Sequence, residues 1–357
     1  MPTPGTRRPT LATIAASAGV SVATVSKVLN GRADVAAATR ARVAELLAEH
    51  DYVGPRTGSR TGAQPIVELV FDDDLNAYAT EIVQGMFDAA SQAGAVVAVS
   101  VRGRHSAAGP PAAWARELLA TGREAVIGVV NSLTAGHVSA LARAGLPLVV
   151  IDPIDLPRAR ITSVGATNFA GGVAAARHLL SLGHRHVAYV GGSPRAACSQ
   201  ARMGGFRAAM EAAGLPVPDG YVQEGLFRYE DGVDGATALF ALQAPPTAVF
   251  AASDAIAAGV VEAARAHGLR VPADLSVVGF DDTQLARYGA PPLTTVRQPL
   301  REMGAVALRT ALRMAAGEKI DSHHVELATE LIVRGSTTGP RRRDAQQPAR
   351  TSHAPDR

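Results

Sequence analysis

The segment VSVATVSKVLNGR, from Val20 to Arg32, repeats apolar residues at helical spacing but carries chemically different side chains on the opposite face. Val25, Val28 and Leu29 share one face of a helix, because residues three and four apart lie on the same side. Four other side chains of this helix face outward: Val22, Ala23, Ser26 and Lys27. Exposing a valine to water is unfavourable, so this face predicts a binding partner.

The outward side chains suit recognition of double-stranded DNA. In a helix-turn-helix, the second helix lies in the major groove with its N-terminal residues against the base edges. A small apolar side chain can contact a thymine methyl group, and a lysine can contact guanine or a phosphate. The spacing alone also fits a small helical protein-interaction module with one stray valine, and that alternative stays open at this point.

The neighbouring sequence predicts three short helices that would position this segment. Apolar residues repeat at i, i+3, i+4 and i+7 over about the first fifty residues. Thr10 and Ser21 stand where helix N-caps are expected, and Gly19 falls in the turn between the first two helices. We therefore predict a compact helix-turn-helix domain over residues 9–52, preceded by a flexible arm over residues 1–8.

Basic residues are concentrated at the two ends of a chain whose formal net charge is only +3. The first sixty residues contain eight arginines or lysines against four acidic residues, and Arg341, Arg342 and Arg343 follow near the other end. A basic end on a near-neutral body indicates a polyanionic partner. Pro, Gln, Arg and Ser dominate after residue 340, which predicts a disordered basic tail over residues 339–357.

The composition predicts a soluble, cytoplasmic globular protein, which a DNA partner would make nucleoid-associated. With 357 residues, 47% of them hydrophobic, the chain is long enough for two or three domains with a sizeable core. The single cysteine, Cys198, excludes an intramolecular disulfide and indicates a reducing compartment. We see neither a signal-peptide pattern nor a run of about 18 apolar residues, so we expect neither secretion nor a membrane span.

Beyond a linker over residues 53–65, VGPRTGSRTGAQP, the pattern changes to alternating strands and helices. Apolar runs predict two series of buried strands: 66–71, 95–101, 125–130 and 147–152, then 186–192, 247–254 and 275–282. Repeated strand–helix units predict parallel sheets with helices on both faces, and two series predict a two-lobed α/β core. Ligands in such folds bind beyond the carboxyl ends of the strands.

Residues 9–56, PTLATIAASAGVSVATVSKVLNGRADVAAATRARVAELLAEHDYVGPR, resemble the DNA-binding domain of the LacI/GalR family of bacterial transcription regulators. Three further segments resemble the effector-binding core of that family: GATNFAGGVAAARHLLSLGHRHVAYVGG, GFDDTQLARYGAPPLTTVRQP and ELIVRGST. The resemblance implies a small all-α headpiece, a hinge and a periplasmic-binding-protein-like core. It also implies a homodimer or tetramer that binds pseudo-palindromic operator DNA and responds to a small molecule, commonly a sugar.

On this resemblance the core spans residues 66–338, and each lobe is built from two separate stretches of chain. The expected stretches are about 66–162 and 293–320 for the N-lobe, and about 163–292 and 321–338 for the C-lobe.

Carried over by position, Val22 and Ala23 would read base edges, and Lys27 would contact a base or a phosphate. Four polar residues match the family's phosphate-positioning or helix-capping positions: Ser21, Thr24, Ser26 and Asn30. The linker departs from the family, whose hinge helix inserts a leucine into the minor groove, because the linker contains no leucine. Arg56 and Arg60, one helical turn apart, could enter the minor groove instead; the alternative is a flexible tether.

The resemblance also implies effector-binding residues in the core. Asp281 matches a position that binds sugar hydroxyls, and Arg202 matches a ligand-gripping arginine whose fork fits adjacent oxygens. Phe227 matches an aromatic residue that packs on the ligand, and Tyr78 is the expected aromatic residue of the other lobe. Further candidates are Asp152, Asn168, Gln298, Asp254 and Ser253, the last of which replaces a common asparagine. The structural alternatives are helix caps for Asp254 and Asp281, an inter-lobe ion pair for Arg202, and core packing for the two aromatic residues.

The other reactive side chains predict no catalysis, no cofactor and no metal. Only alternate members of the acidic run Asp72–Asp74 could point together, His184 and His186 match a family turn, and Cys198 has no evident base partner. We find no Walker loop and no convincing Gly-x-Gly-x-x-Gly after a strand.

The predicted function is therefore a sugar-responsive transcription factor, a repressor of carbohydrate-utilisation genes. An activator, a regulator with a non-sugar effector and a solute-binding protein are the alternatives. The segments SVGATNFAGG and LTTVRQPLREMG also resemble actinobacterial regulators of plant-polysaccharide use, including xylose and xylan types.

Overall fold

The computed structural model describes residues 10–29, 35–49, 64–71, 75–101, 109–129, 133–153 and 161–341. Several expectations lie outside these ranges: the N-terminal arm, most of the linker, the tail beyond residue 341, the acidic run Asp72–Asp74, and the DNA-contact candidates Asn30, Arg56 and Arg60. For those residues the sequence analysis stands as a prediction.

Three helices form the N-terminal unit: α1 (Leu11–Ala18), α2 (Val22–Leu29) and α3 (Ala37–Glu49). Their buried contacts come from Ile14, Ala15, Val25 and Val43. Thr10 caps α1 as predicted, because its hydroxyl accepts a hydrogen bond from the Thr13 amide at 3.3 Å, and Gly19 ends α1 with a φ of 67°. Among the described residues no single helix is long and apolar enough to cross a membrane; α1 and α2, bent by 99°, pass that test only as a pair, by length and composition.

The first lobe of the core is built on a six-stranded, all-parallel sheet in the order β11-β5-β4-β3-β1-β2. Its strands are β1 (Ile66–Phe71), β2 (Val96–Val101), β3 (Arg123–Val129), β4 (Leu148–Ile151), β5 (Thr162–Ala166) and β11 (His324–Leu327). Its helices are α4 (Ala77–Ala93), α5 (Pro111–Ala120), α6 (Ala135–Ala144) and α12 (Leu300–Ala315). Helices α4 and α12 pack together over one face, where Ile82, Met86, Met303 and Leu308 are fully buried.

The second lobe repeats this design in a six-stranded sheet of order β12-β10-β9-β8-β6-β7, in which only β12 is antiparallel. Its strands are β6 (Val187–Val190), β7 (Val222–Gln223), β8 (Ala248–Ala251), β9 (Ser276–Asp281), β10 (Thr294–Arg297) and β12 (Glu330–Ile332). Its helices are α7 (Asn168–Ser181), α8 (Ala197–Ala212), α9 (Tyr229–Phe240), α10 (Asp254–Ala266) and α11 (Gln284–Tyr288). The predicted fold class, a helical headpiece followed by a two-lobed α/β core, is confirmed.

The chain passes between the two sheets three times, each time a few residues later than the sequence analysis expected. Strand β5 belongs to the first sheet and β10 to the second, so the first two crossings lie at Thr167 and at Gln298, not at 162/163 and 292/293. The third lies between β11 and β12, not at 320/321. The strands that precede the crossings carry Thr, Ser, Arg and His in place of an apolar run, which is why they escaped prediction. Thr167 and Thr329 join two of the crossing segments through a hydroxyl–hydroxyl contact of 3.0 Å.

Candidate functional site

Helix α2 presents the face that the residue spacing predicted. Val25 is fully buried and Val28 is half-buried, whereas Val22 is 46% exposed; the side chain of Leu29 lies outside the described ones. Ala23 and Lys27 are exposed beside Val22, and Ser26 is half-buried. The helix therefore offers two small apolar side chains and one cation along its solvent side.

The side chains of Ser21 and Thr24 contact each other at the start of α2, where they stabilise the helix itself. The Ser21 hydroxyl accepts a hydrogen bond from the Thr24 amide at 3.1 Å and lies 2.9 Å from the Thr24 hydroxyl. This is an N-cap, which satisfies one of the amides that every helix leaves unpaired at its start. The cap fixes the first turn of α2, and with it the direction in which Val22 and Ala23 point. Contact between these residues and DNA stays a prediction.

The second candidate site is the cleft between the lobes, and its first wall comes from the N-lobe. Tyr78, at the start of α4, donates a hydrogen bond of 2.6 Å from its hydroxyl to Asp152, which directly follows β4. Asp152 is buried and has a positive φ of 45°. Burial raises the pKa of the Asp152 carboxyl, against the opposing effects of the Arg202 charge and of hydrogen bonds from Tyr78 and Asn168.

The C-lobe wall is organised around the guanidinium group of Arg202 on α8. Its Nε donates to Asn168 Oδ1 at 2.7 Å, and its Nη1 donates to the Ala252 carbonyl at 2.6 Å. The same Nη1 lies 3.6 Å from Asp281 Oδ1, and the guanidinium stacks 3.8 Å above the centre of the Phe280 ring. Arg202 is thus held on several sides by groups from α7 and β9 and by the carbonyl of Ala252, which directly follows β8.

Asp281 and Gln298 complete this wall from the carboxyl ends of β9 and β10. Gln298 Nε2 donates to Asp281 Oδ1 at 2.7 Å, and both side chains are buried. Burial raises the pKa of Asp281 to about 8; the Arg202 charge opposes the rise, while the Asp254 charge adds to it. Gln298 Oε1 is buried without any hydrogen-bond partner. A buried acceptor without a donor is unfavourable.

The strand order explains why these side chains converge. Each follows the carboxyl end of a parallel strand, either directly or on the next helix, and the carboxyl ends of both sheets face the cleft. Close contact between α7 and α8 brings Asn168 to Arg202: a Cβ on Gly172 would overlap the Arg202 backbone carbonyl. The sequence analysis named these residues. The structure joins Tyr78 to Asp152 on one wall by a hydrogen bond, and on the other wall it links Asn168, Arg202, Asp281 and Gln298 by hydrogen bonds and one ion pair.

Of the three remaining candidates, Phe227 lies beside the cleft, whereas Ser253 and Asp254 form hydrogen bonds within the C-lobe. The Phe227 ring is half-buried, lies against the Gly192 backbone and is centred 5.8 Å from the Arg202 guanidinium, so it can cover a ligand in the cleft. Ser253 caps α10, because its hydroxyl accepts from the Ile256 amide at 3.2 Å. Asp254 is fully buried inside the C-lobe. Its carboxylate accepts from the Thr283 amide at 2.7 Å and from the Thr295 hydroxyl at 2.6 Å.

Asp282, which the sequence analysis did not single out, is a second buried carboxylate beside Asp281. It accepts hydrogen bonds from Arg334 at 2.6 Å and from Arg297 at 2.7 Å, and Arg287 lies 3.8 Å away. Both aspartates have positive φ angles, 112° and 57°. Ion pairs of this kind hold an otherwise unfavourable backbone in place, so Asp282 helps to fix the direction of Asp281. The doubled aspartate in GFDD was the only signal available in the sequence.

Cys198 was also given no role in the sequence analysis, yet it lies one helical turn before Arg202 on α8 and is buried. Burial raises the pKa of its thiol to about 12, although the Arg202 charge opposes the rise. At neutral pH the group is a neutral thiol, and it acts as a small packing residue beside the cleft.

Comparison with known proteins decides the family. A family model described as bacterial regulatory proteins, lacI family, matches residues 10–54, and a model of a periplasmic binding protein-like domain matches residues 176–337. The HTH-type transcriptional regulator DegA of Bacillus subtilis (strain 168) is 34% identical over 342 residues, which cover 92% of this chain and 98% of DegA. The chain belongs to the lacI family of bacterial regulatory proteins. This lacI-family chain is accordingly a DNA-binding transcriptional regulator.

Two solved structures resemble this lacI-family protein over nearly its whole length. The transcriptional regulator CelR–cellobiose complex has a TM-score of 0.71 and 31% identity, and covers 92% of this chain and 100% of its own. The lac repressor dimer bound to operator and the anti-inducer ONPF has a TM-score of 0.67 and 27% identity, and covers 93% and 100%. One structure carries a disaccharide and the other carries DNA, which are the two ligand classes that the sequence analysis expected for this chain.

Proposed function

We propose that this lacI-family regulator is a repressor of carbohydrate-utilisation genes, which binds a pseudo-palindromic operator as a homodimer and is controlled by a small sugar-like effector between its lobes. The observation that carries the proposal is the convergence of buried polar side chains from both lobes on one cleft. A ligand that contacts both walls stabilises one relative arrangement of the lobes and so changes the spacing of the two headpieces.

On the DNA side, α2 would lie in the major groove with Val22, Ala23 and Lys27 against the bases. Ser21, Thr24 and Ser26 would position the helix on the phosphates, and Asn30, Arg56 and Arg60 remain candidates for further contacts. A two-fold symmetric dimer would read two half-sites of a pseudo-palindrome.

On the effector side, Asp281, Arg202 and Asp152 would bind hydroxyl groups, and Phe227 would cover an apolar face of the ligand. Tyr78, Asn168 and Gln298 supply the remaining polar contacts. Ser253 and Asp254 would affect ligand binding indirectly, by holding the C-lobe wall in place. Their side-chain oxygens already accept hydrogen bonds within that lobe.

The DNA half of the proposal is tested by selecting sites from a random-sequence DNA library with the full chain. We expect a two-fold symmetric consensus. Val22→Ala should lower affinity for that consensus more than for random DNA, because base contacts carry sequence information. Lys27→Ala should weaken binding and flatten its dependence on salt if the lysine contacts a phosphate. Arg265→Ala, an exposed change on α10 of the core, is the matched control. A consensus without symmetry, or equal losses in all three variants, would refute this half.

The effector half is tested by thermal stabilisation with xylose, xylo-oligosaccharides, cellobiose and common hexoses. A ligand at about 100 times its dissociation constant stabilises the folded chain by about 2.7 kcal/mol, which is easily measured. Arg202→Met and Asp281→Ala should abolish the shift, whereas Arg265→Ala, on the exposed side of α10, should not. A shift with xylose or a xylo-oligosaccharide would support the plant-polysaccharide prediction. A shift that survives both cleft substitutions would refute the assignment of the site.

Repression is distinguished from activation by transcription from a promoter that carries the selected operator. Whether the bound chain represses or activates transcription depends on where the operator lies relative to the promoter. The native upstream region is therefore the template. Reduced transcript with the chain, restored by the effector, is the expected result; increased transcript would establish an activator.

A further inference from the structure

We propose that Lys27 is a modification site, and that transfer of an acyl group from an acyl phosphate to its side-chain amine switches off DNA binding. This inference rests on the proposed function, because it assumes that α2 reads the operator. It goes further by naming a covalent modification, the class of compound that supplies the acyl group and the residue that receives it.

The first observation is how rarely the chain uses lysine. Of its 35 lysines and arginines only two are lysines, Lys27 and Lys319. Arginine is the stronger residue for reading guanine, because its planar fork donates two parallel hydrogen bonds. The exposed cation of α2 therefore departs from the rest of the chain at a position where arginine would bind DNA well. What lysine has and arginine lacks is an amine that can be acylated.

The second observation is the position of this amine. Lys27 is exposed on α2, four residues after the exposed Ala23. Residues four apart are neighbours on one face of a helix, so Lys27 belongs to the face that would enter the major groove. An acyl donor in solution can reach an exposed side chain there, whereas bound DNA would cover it. Lys319 is also exposed, but it follows α12 in the N-lobe and lies outside the headpiece.

The third observation is the charge around this site. The first sixty residues contain eight arginines or lysines against four acidic residues. Such an excess attracts small polyanions as well as DNA, and an acyl phosphate is a small polyanion. The basic headpiece therefore favours this class of acyl donor over an uncharged one.

The reaction needs no oxidant, metal or further reactant. The unprotonated amine of Lys27 attacks the acyl carbonyl carbon, and a C–N bond forms. The C–O bond to phosphate then breaks, and the phosphate leaves with the electron pair of that bond and takes up the proton that the nitrogen loses. The product is a neutral amide, so the side chain no longer attracts guanine or a phosphate. Since a good base contact contributes about tenfold or more to affinity, acylation should weaken operator binding by at least that factor.

The experiment treats the full chain with acetyl phosphate, with and without the operator DNA selected above. Peptide mass spectrometry measures acetylation of each lysine, and a binding titration measures affinity. We expect acetylation of Lys27 only without DNA, equal acetylation of Lys319 in both samples, and at least about tenfold weaker binding by the acetylated chain. Lys319→Arg should respond to treatment as the parent chain does. Lys27→Arg keeps a cation that cannot be acetylated, so treatment should leave its own affinity unchanged.

The outcomes separate this inference from the function beneath it. Acetylated Lys27 with undiminished operator affinity would overturn the switch, and so would an equal loss of affinity in treated Lys27→Arg. Acetylation of Lys319 but not of Lys27 in the chain without DNA would show that Lys27 is not the modified residue. If the untreated chain selects no DNA sequence, the proposed function itself fails, and this inference fails with it.

Discussion

Two neighbouring glycines on α8 offer a test of how the C-lobe wall is positioned. A Cβ added to Gly205 would overlap the backbone carbonyl oxygen of Phe169 on α7 and would also lie 2.9 Å from the Val173 amide. A Cβ on Gly204, the preceding residue of the same helix, would lie 3.6 Å from the Phe169 ring, which is ordinary van der Waals contact. Alanine at these two positions therefore has the same helix propensity and opposite steric surroundings.

The magnitudes follow from that difference. Replacing glycine by alanine inside a helix stabilises it by about 1 kcal/mol, and at Gly204 nothing opposes this gain. At Gly205 the obstacle is backbone, which cannot move aside by changing a rotamer, so the upper end of the overpacking range, about 3 kcal/mol, applies. We expect Gly204→Ala to be about 1 kcal/mol more stable than the parent chain and Gly205→Ala to be about 2 kcal/mol less stable.

The assay is urea unfolding of the two variants followed by circular dichroism. The variants should differ by about 3 kcal/mol, which is the sum of the two expected effects. Because α7 carries Asn168 and α8 carries Arg202, Gly205→Ala should also weaken effector binding, while Gly204→Ala should not. If Gly205→Ala proves as stable as Gly204→Ala, the close approach of the two helices does not exist as described.

Three further changes test other parts of the structure. Ser21→Ala removes the α2 cap and should lower the local stability of that helix by about 1 kcal/mol, seen as about fivefold faster hydrogen exchange of its amides; unchanged exchange would contradict the cap. Asp254→Ala leaves the buried donors of Thr283 and Thr295 without an acceptor and should cost about 3 kcal/mol in urea unfolding; a loss below about 1 kcal/mol would show that these bonds contribute little. Because the pKa of Asp281 is raised to about 8, the folded chain keeps a proton that the unfolded chain loses near pH 4. The free energy of unfolding should therefore fall between about pH 4 and pH 8 and level off above; Asp281→Asn should have a flatter profile, and identical profiles would refute the shift.

The elements that the sequence predicts well are those with a long apolar signal. Strand β1 was expected over residues 66–71 and lies there. The helical patterns over residues 79–92 and 112–121 predict α4 and α5, whose observed bounds differ from these by at most two residues at each end. Strands β5, β10 and β11 escaped because Thr162, Thr294 and His324 begin them and no apolar run marks them. Their neighbours in the sheets, not their own sequences, make them strands, and the positions of the lobe crossings depended on them.

The candidate site also has a part that the sequence predicts and a part that it does not. Position in a family pattern was enough to name Arg202 and Asp281, and the rule that ligands bind beyond strand ends placed them in one cleft. The pairing of Tyr78 with Asp152 and the unpartnered oxygen of Gln298 depend on contacts between residues far apart in the chain, which one sequence does not reveal. Ser253 is the opposite case. The sequence analysis placed it among the effector-binding candidates because it replaces a common asparagine, whereas in the structure its hydroxyl caps the start of α10.

The three crossings between the sheets have a consequence for synthesis on the ribosome. Strand β11 (His324–Leu327) forms the outer edge of the N-lobe sheet, although the rest of that sheet ends at Ala166. The nascent N-lobe must therefore wait for about half of the polypeptide, including nearly the whole C-lobe, before its last strand and α12 emerge from the exit tunnel. Until then the face that α12 will cover is open to water, which makes this lobe the one that a chaperone would have to protect. A premature stop anywhere between α7 and α12 would leave a finished headpiece attached to two unfinished lobes.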